Sequence, residues 1–201
     1  MTTQESIIEA ASKVFERFGF TKTSMNDIAR AARKGRRTVY TYFTSKEDVF
    51  RAVIETEVRE LANRLIEMIR QDIPADEKLR MYMHARMDAV KDLTIYYEAL
   101  RQDLMGNLGL IENLRKEYDE LEVTLIRQIL DEGTSKGLFD IDDTLLVANA
   151  IQIATKGFEL PIYMGQAAYD HNKFIDPMIQ LFYQGIANRN NTKEAGNEKT
   201  G

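Results

Sequence analysis

Arg33, Lys34, Arg36 and Arg37 put four cations within five positions, and Thr38, Tyr40, Thr41 and Tyr42 follow directly after them. Cations neutralise phosphates and a helix is narrow enough for the major groove, so this run has the chemistry of duplex DNA recognition. A basic run by itself is more often a solvated face. Two features favour recognition here: the helical register of the run and its interleaved tyrosines. Charge is also partitioned along the chain. Residues 22 to 46 hold 7 basic residues against 1 acidic, residues 51 to 201 hold 18 against 26, and the whole chain of 201 residues carries a net charge of -5. A small polyanion-binding module joined to an acidic body with another task is the reading this asymmetry favours.

Other reactive constellations are missing. With no cysteine there is no disulfide framework, thiolate zinc site or cysteine nucleophile. The two histidines, His84 and His171, lie far apart and have no partner at metal-ligand spacing, so neither is assigned a metal or base role. Gly106-Asn107-Leu108-Gly109 lacks the spacing of a phosphate-cradling loop, and no pair of carboxylates sits isolated in an apolar context. No catalytic residue, metal or cofactor is therefore expected, and the chain is not read as an enzyme.

The elements that must position the basic run follow from apolar spacing and punctuation. With only 3 prolines and abundant Leu, Ile, Met, Glu, Arg and Ala, the chain reads as all-α. Thr2-x-x-Glu5 opens a first helix that stops at Gly19, and Ser24-x-x-Asp27 opens a second that Gly35 ends. A third helix spans about Arg36 to Phe43, with Val39 and Phe43 inward. Thr44-Ser45-Lys46-Glu47 caps a long fourth helix that ends at Ile73-Pro74-Ala75. Further helices fit residues 76–93, 95–105, 108–132, 143–165 and 172–188, about nine in all, with Asp142-Asp143 as an N-cap and with Pro161 and Pro177 kinking or restarting the last two. Two short helices joined by a tight glycine-containing turn, the second basic and aromatic, form a helix-turn-helix. The expected organisation is a DNA-binding domain over 1–50, a helical effector-binding and dimerisation domain over 51–188, and a disordered tail over 189–201. No apolar run reaches the ~18 residues a membrane span needs, and the polar first residues are unlike a signal peptide, so a soluble, cytoplasmic protein with no membrane partner is expected.

Four motifs in order, Phe18-Gly19-Phe20, Thr23-Ser24-Met25-Asn26-Asp27-Ile28-Ala29, Thr38-Val39-Tyr40-Thr41-Tyr42-Phe43 and Ser45-Lys46-Glu47-Asp48-Val49, resemble the DNA-binding domain of the TetR (tetracycline repressor) family over about residues 4 to 53. The resemblance implies a homodimer whose two reading helices enter successive major grooves of a palindromic operator. It further implies that Ser24 and Lys46 hold phosphates, that Tyr40 and Tyr42 place hydroxyls near the backbone, and that Arg36, Arg37, Thr38 and Thr41 face base edges. Arg33 and Lys34 stand where the family more often has glycine and a small apolar residue, and each added cation strengthens phosphate attraction.

In the second half, Met83, Met87, Tyr96, Tyr97, Leu100, Leu104 and Phe158 form a flexible, polarizable set suited to lining a cavity for a small apolar or amphipathic effector, although any single such residue more often fills an ordinary core. The last two helices are apolar on more than one face. Pairing them with their copies in a four-helix interface is the economical way to bury them. The expected function is a repressor released by its effector. Activation stays open within that class. The rival classes are a helical-bundle enzyme, which metal analysis would reveal, and a protein-binding scaffold with a vestigial helix-turn-helix, which selection from random duplexes would separate.

Overall fold

A computed structural model describes residues 1–92, 95, 112–163 and 172–186. These residues form eight helices: α1 Thr3–Lys22, α2 Met25–Ala31, α3 Arg36–Tyr42, α4 Lys46–Ile69, α5 Ala75–Asp92, α6 Glu112–Ser135, α7 Thr144–Tyr163 and α8 Asn172–Ile186. The all-α class read from the composition is the one the chain adopts. Apart from Ile95, the helix expected over 95–105 lies outside the described residues, as does the tail over 189–201. No helix among the described residues is long and apolar enough to cross a membrane. The chain divides into two compact units, Met1–Leu61 with Lys91–Arg115 and Ala62–Val90 with Lys116–Gly201, and the division falls inside α4.

In the first unit, local chemistry starts each helix. The Thr2 hydroxyl accepts the Glu5 N–H while the Glu5 carboxylate takes the Thr2 N–H, and Ser24 and Asp27 repeat this exchange at the start of α2. The expected box at Thr44 and Glu47 is shifted by one residue. Ser45 Oγ accepts the Asp48 N–H at 3.1 Å, and the Asp48 carboxylate bonds Thr44. Gly19, at φ 75°, interrupts α1 as its sequence position suggests, but one further turn follows before the helix ends at Lys22. That turn brings Phe20 down beside Phe50, with ring centroids 4.5 Å apart, and Phe15 meets Phe50 edge-on at 5.0 Å. Each such ring pair adds about 0.5–1.5 kcal/mol beyond the area it buries. Ile7, Ile28, Val39 and Ile54 are fully enclosed in the same core, which fixes α2 and α3 against α1 and the start of α4.

The second unit is a helical core with charges inside it. Leu65, Leu79, Met83, Met87, Ile126, Leu130 and Ile151 are buried. Among them the Arg86 guanidinium of α5 donates to the Glu122 carboxylate of α6, with side chains only 2% and 4% exposed. The Tyr82 hydroxyl lies 3.5 Å from the same carboxylate, and burial pushes its phenol well above the ordinary value. Lys78 is bonded to Glu132 at 2.7 Å, and Lys156 and Gln152 of α7 both reach Asp119 of α6. A buried ion pair contributes little net stability over apolar residues of the same shape, whereas one stranded charge is costly. Glu122→Ala is therefore expected to destabilise the unit by about 3–5 kcal/mol, and Arg86→Met with Glu122→Leu to cost far less. Chemical denaturation of both variants checks this. Equal losses would mean that the pair is not the source of the cost.

Candidate nucleic-acid interface

α2 ends in a Schellman motif. The Lys34 N–H bonds the Ala29 carbonyl at 3.0 Å and the Arg33 N–H bonds the Arg30 carbonyl at 3.1 Å, which forces residue 33 into the left-handed region. α6 ends in the same way: Leu138 bonds Gly133, Gly137 bonds Thr134, and the left-handed position is Gly137 at φ 71°. At the corresponding place α2 has Arg33 at φ 53°, a conformation that disfavours any side chain by about 1 kcal/mol or more. Arg33→Gly is thus expected to stabilise the first unit by about 0.5–1 kcal/mol and raise its melting temperature by a few degrees. The same change should weaken duplex binding and make its salt dependence shallower by about 0.9 for each phosphate no longer neutralised. A thermal melt paired with a salt titration checks both signs.

The turn leads through Gly35, the N-cap of α3, into a helix on which only Val39 is buried. At about 100° per residue, Arg37 and Thr41 lie opposite Val39, Arg36 and Tyr40 form one flank, and Thr38 and Tyr42 the other. The Arg36 guanidinium lies over the Tyr40 ring, 5.4 Å from its centroid, and the Thr41 hydroxyl donates to the Arg37 carbonyl at 3.0 Å. Arg33, Lys34, Arg36, Arg37, Thr38, Tyr40, Thr41 and Tyr42 are all exposed on one turn and one helix. None of the four cations has a carboxylate within 4.0 Å among the described residues. A narrow helix bearing unneutralised cations and hydroxyls, supported by a single buried valine, is shaped to enter a major groove.

Ser24 and Lys46, also expected at this surface, have partners inside the unit. The Ser24 hydroxyl bonds the Asp27 carboxylate at 2.5 Å, and these side-chain and backbone bonds from Ser24 hold the Asp27 carboxyl below its ordinary range. Lys46 is half-buried. Its Nζ donates to the Phe20 carbonyl at 2.8 Å and sits 4.2 Å from the Phe20 ring centroid. Of the effector-lining set, Met83 and Met87 are fully buried in the second unit, and the Thr155 hydroxyl lies 3.9 Å from the Met83 sulfur. Tyr96, Tyr97, Leu100, Leu104 and the side chain of Phe158 lie outside the described residues. Arg17 and Arg30, which were not among the expected site residues, are exposed beside the turn. Their spacing from Lys13 and Arg33, four and three residues, was the available signal.

Residues 7–53, which carry this surface, match the family described as bacterial regulatory proteins, tetR family. The HTH-type transcriptional repressor NicS of Pseudomonas putida is 30% identical over 169 residues, spanning 76% of this chain and 73% of that protein. A transcriptional regulator from Cytophaga hutchinsonii shares the fold with a TM-score of 0.81 at 24% identity, covering 91% of this chain and 97% of its own. FadR from Bacillus subtilis, solved in complex with stearoyl-CoA, shares it with a TM-score of 0.70 at 23% identity, over 90% of this chain and 98% of its own.

Proposed function

Since the chain belongs to the tetR family of bacterial regulatory proteins and is a DNA-binding transcriptional regulator, we propose that it works as a repressor, binding a palindromic operator as a homodimer and releasing it when a small effector binds. The observation that carries this reading is α3 itself, whose exposed face is made of Arg36, Arg37, Thr38, Tyr40, Thr41 and Tyr42. Arg37 and Thr41 point furthest from the core and face base edges. Arg36 and Thr38 read beside them, and Tyr40 and Tyr42 set their hydroxyls against the backbone. Arg33 and Lys34 add phosphate contacts from the turn. Ser24 and Lys46 hold phosphates from the starts of α2 and α4: the Lys46 ammonium keeps donors beyond its bond to Phe20, and Ser24 turns its one hydroxyl hydrogen from Asp27 to the phosphate.

Dimerisation is assigned to α7 and α8. In the isolated chain Leu146, Ile153 and Leu181 are 67%, 67% and 70% exposed. Leu146, Ala150, Ile153 and Gly157 recur at helical spacing on α7, as do Phe174, Leu181 and Gly185 on α8, and the small residues allow close helix approach. The effector enters the unit containing Met83 and Met87 and is apolar or amphipathic. The stearoyl-CoA held by the Bacillus subtilis neighbour makes long-chain acyl-CoA the first compound to try. Release is a two-state linkage, so operator and effector weaken each other by the same factor, commonly about 1–3 kcal/mol, and α4 is the continuous helix through which it is transmitted.

Selection of duplexes from a random pool by the full chain tests the reading. The enriched sequence is expected to be a near-palindrome of about 15 to 20 base pairs with half-sites one helical turn apart, and stearoyl-CoA is expected to lower its affinity. Failure to enrich any duplex would overturn the operator reading.

A further inference from the structure

A groove of about 790 Å³ opens between α1 and α2, lined by Lys13, Arg17 and Phe18 from α1 and by Arg30, Ala31 and Arg33 from α2 and its turn. Arg17, Arg30 and Arg33 have no carboxylate within 4.0 Å among the described residues. The two acids on the rim are already engaged: Glu9 accepts from Lys13 Nζ at 2.7 Å, and Asp27 is closed into the capping box of α2. Phe18 is 51% exposed with the Arg17 guanidinium 5.1 Å from its ring centroid. The groove thus presents three guanidiniums without an ion-pair partner beside one exposed aromatic face, which suits a polyanion. It is also continuous with the reading surface, because Arg33 lines it and Lys34, the next residue, leads into α3. The strained backbone of Arg33 points the same way. Glycine would relax the turn, and what it would remove is the cation that joins the groove to α3.

We infer that the α1–α2 groove holds backbone phosphates of the same duplex, just outside the half-site that α3 reads. The inference rests on the operator reading and extends its footprint. Phosphate contacts of this kind carry no base information but add affinity, salt dependence and a requirement for flanking DNA. Arg17→Ala/Arg30→Ala is the variant of choice, since both side chains are exposed. The probe is the duplex selected by the full chain, prepared once with ten flanking base pairs on each side and once trimmed to the half-sites.

Wild-type chain is expected to bind the long duplex more tightly than the trimmed one, and the variant to bind both alike. Its log-affinity against log-salt slope should be shallower by about 0.9 for each phosphate left unneutralised, about 3.6 in all for a dimer in which each protomer releases two. Base preference, read by repeating the selection, should not change. If the variant keeps the wild-type slope and flank dependence while Arg36→Ala/Arg37→Ala loses binding, the groove inference fails and the operator reading stands. If neither variant changes binding, the operator reading fails with it. A variant that keeps the slope but no longer binds polyglutamate assigns the groove to an acidic protein segment and overturns the duplex assignment.

Discussion

Arg36→Ala/Arg37→Ala is expected to lower operator affinity on the order of 10²- to 10⁴-fold while leaving the melting temperature within a few degrees of wild type. That range is the loss of two potential bidentate base contacts in one half-site, each worth about 1–3 kcal/mol of discrimination, and the dimer, which loses four, falls at its upper end or beyond. The small stability effect follows from the surroundings of the two residues. Both are exposed, neither has a carboxylate within 4.0 Å among the described residues, and alanine is the better helix former. The one internal interaction removed is that of Arg36 with the Tyr40 ring, about 0.5–1 kcal/mol at an exposed site. The two positions should also separate. Arg37 lies opposite Val39 and projects furthest from the core, so Arg37→Ala alone should relax base preference more than Arg36→Ala alone, which weakens a flank. Fluorescence anisotropy at one fixed salt concentration, with circular dichroism melts on the same samples, measures both quantities. Unchanged affinity in the double variant would remove α3 as the reading element.

What could be read from the sequence was what short-range chemistry decides. The boxes at Thr2/Glu5 and Ser24/Asp27 form because donor and acceptor lie three residues apart on one turn, so spacing alone identifies them. At Thr44-Ser45-Lys46-Glu47-Asp48, two hydroxyls and two acids compete in adjacent frames, so spacing alone does not decide the pairing, and the bond that forms joins Ser45 with Asp48. α3 was legible as a helix and as an exposed surface because Val39 is its only large aliphatic residue. The internal partners of Lys46 and Arg86 were not legible. They lie 26 and 36 residues away in sequence, and nothing in the pattern of either helix marks a bond that only tertiary packing creates. Arg33 was visible as a departure from glycine. Its cost became clear only when two Schellman bonds placed it at φ 53°.

Charging the exposed stripes of α7 and α8 should have the other large effect. Ile153→Glu/Leu181→Glu is expected to give a folded monomer whose operator affinity falls to that of a single half-site. Both side chains are more than two-thirds exposed in the isolated chain, so substitution leaves no cavity and should not unfold the protomer. In the assembled dimer the same positions would bury four carboxylates without partners, at several kcal/mol each. Even about 4 kcal/mol in total raises the dissociation constant on the order of 10³-fold. The reading heads are untouched, and the loss appears only where two heads must act together. Light scattering should report about half the wild-type mass, circular dichroism an unchanged helix content, and anisotropy an affinity no longer sensitive to half-site spacing. A charged variant that keeps the dimer mass would place the interface elsewhere. One that becomes monomeric yet binds the palindrome as tightly as wild type would show that the two half-sites are not read by paired heads, and the operator would then owe nothing to the two-fold symmetry of a dimer.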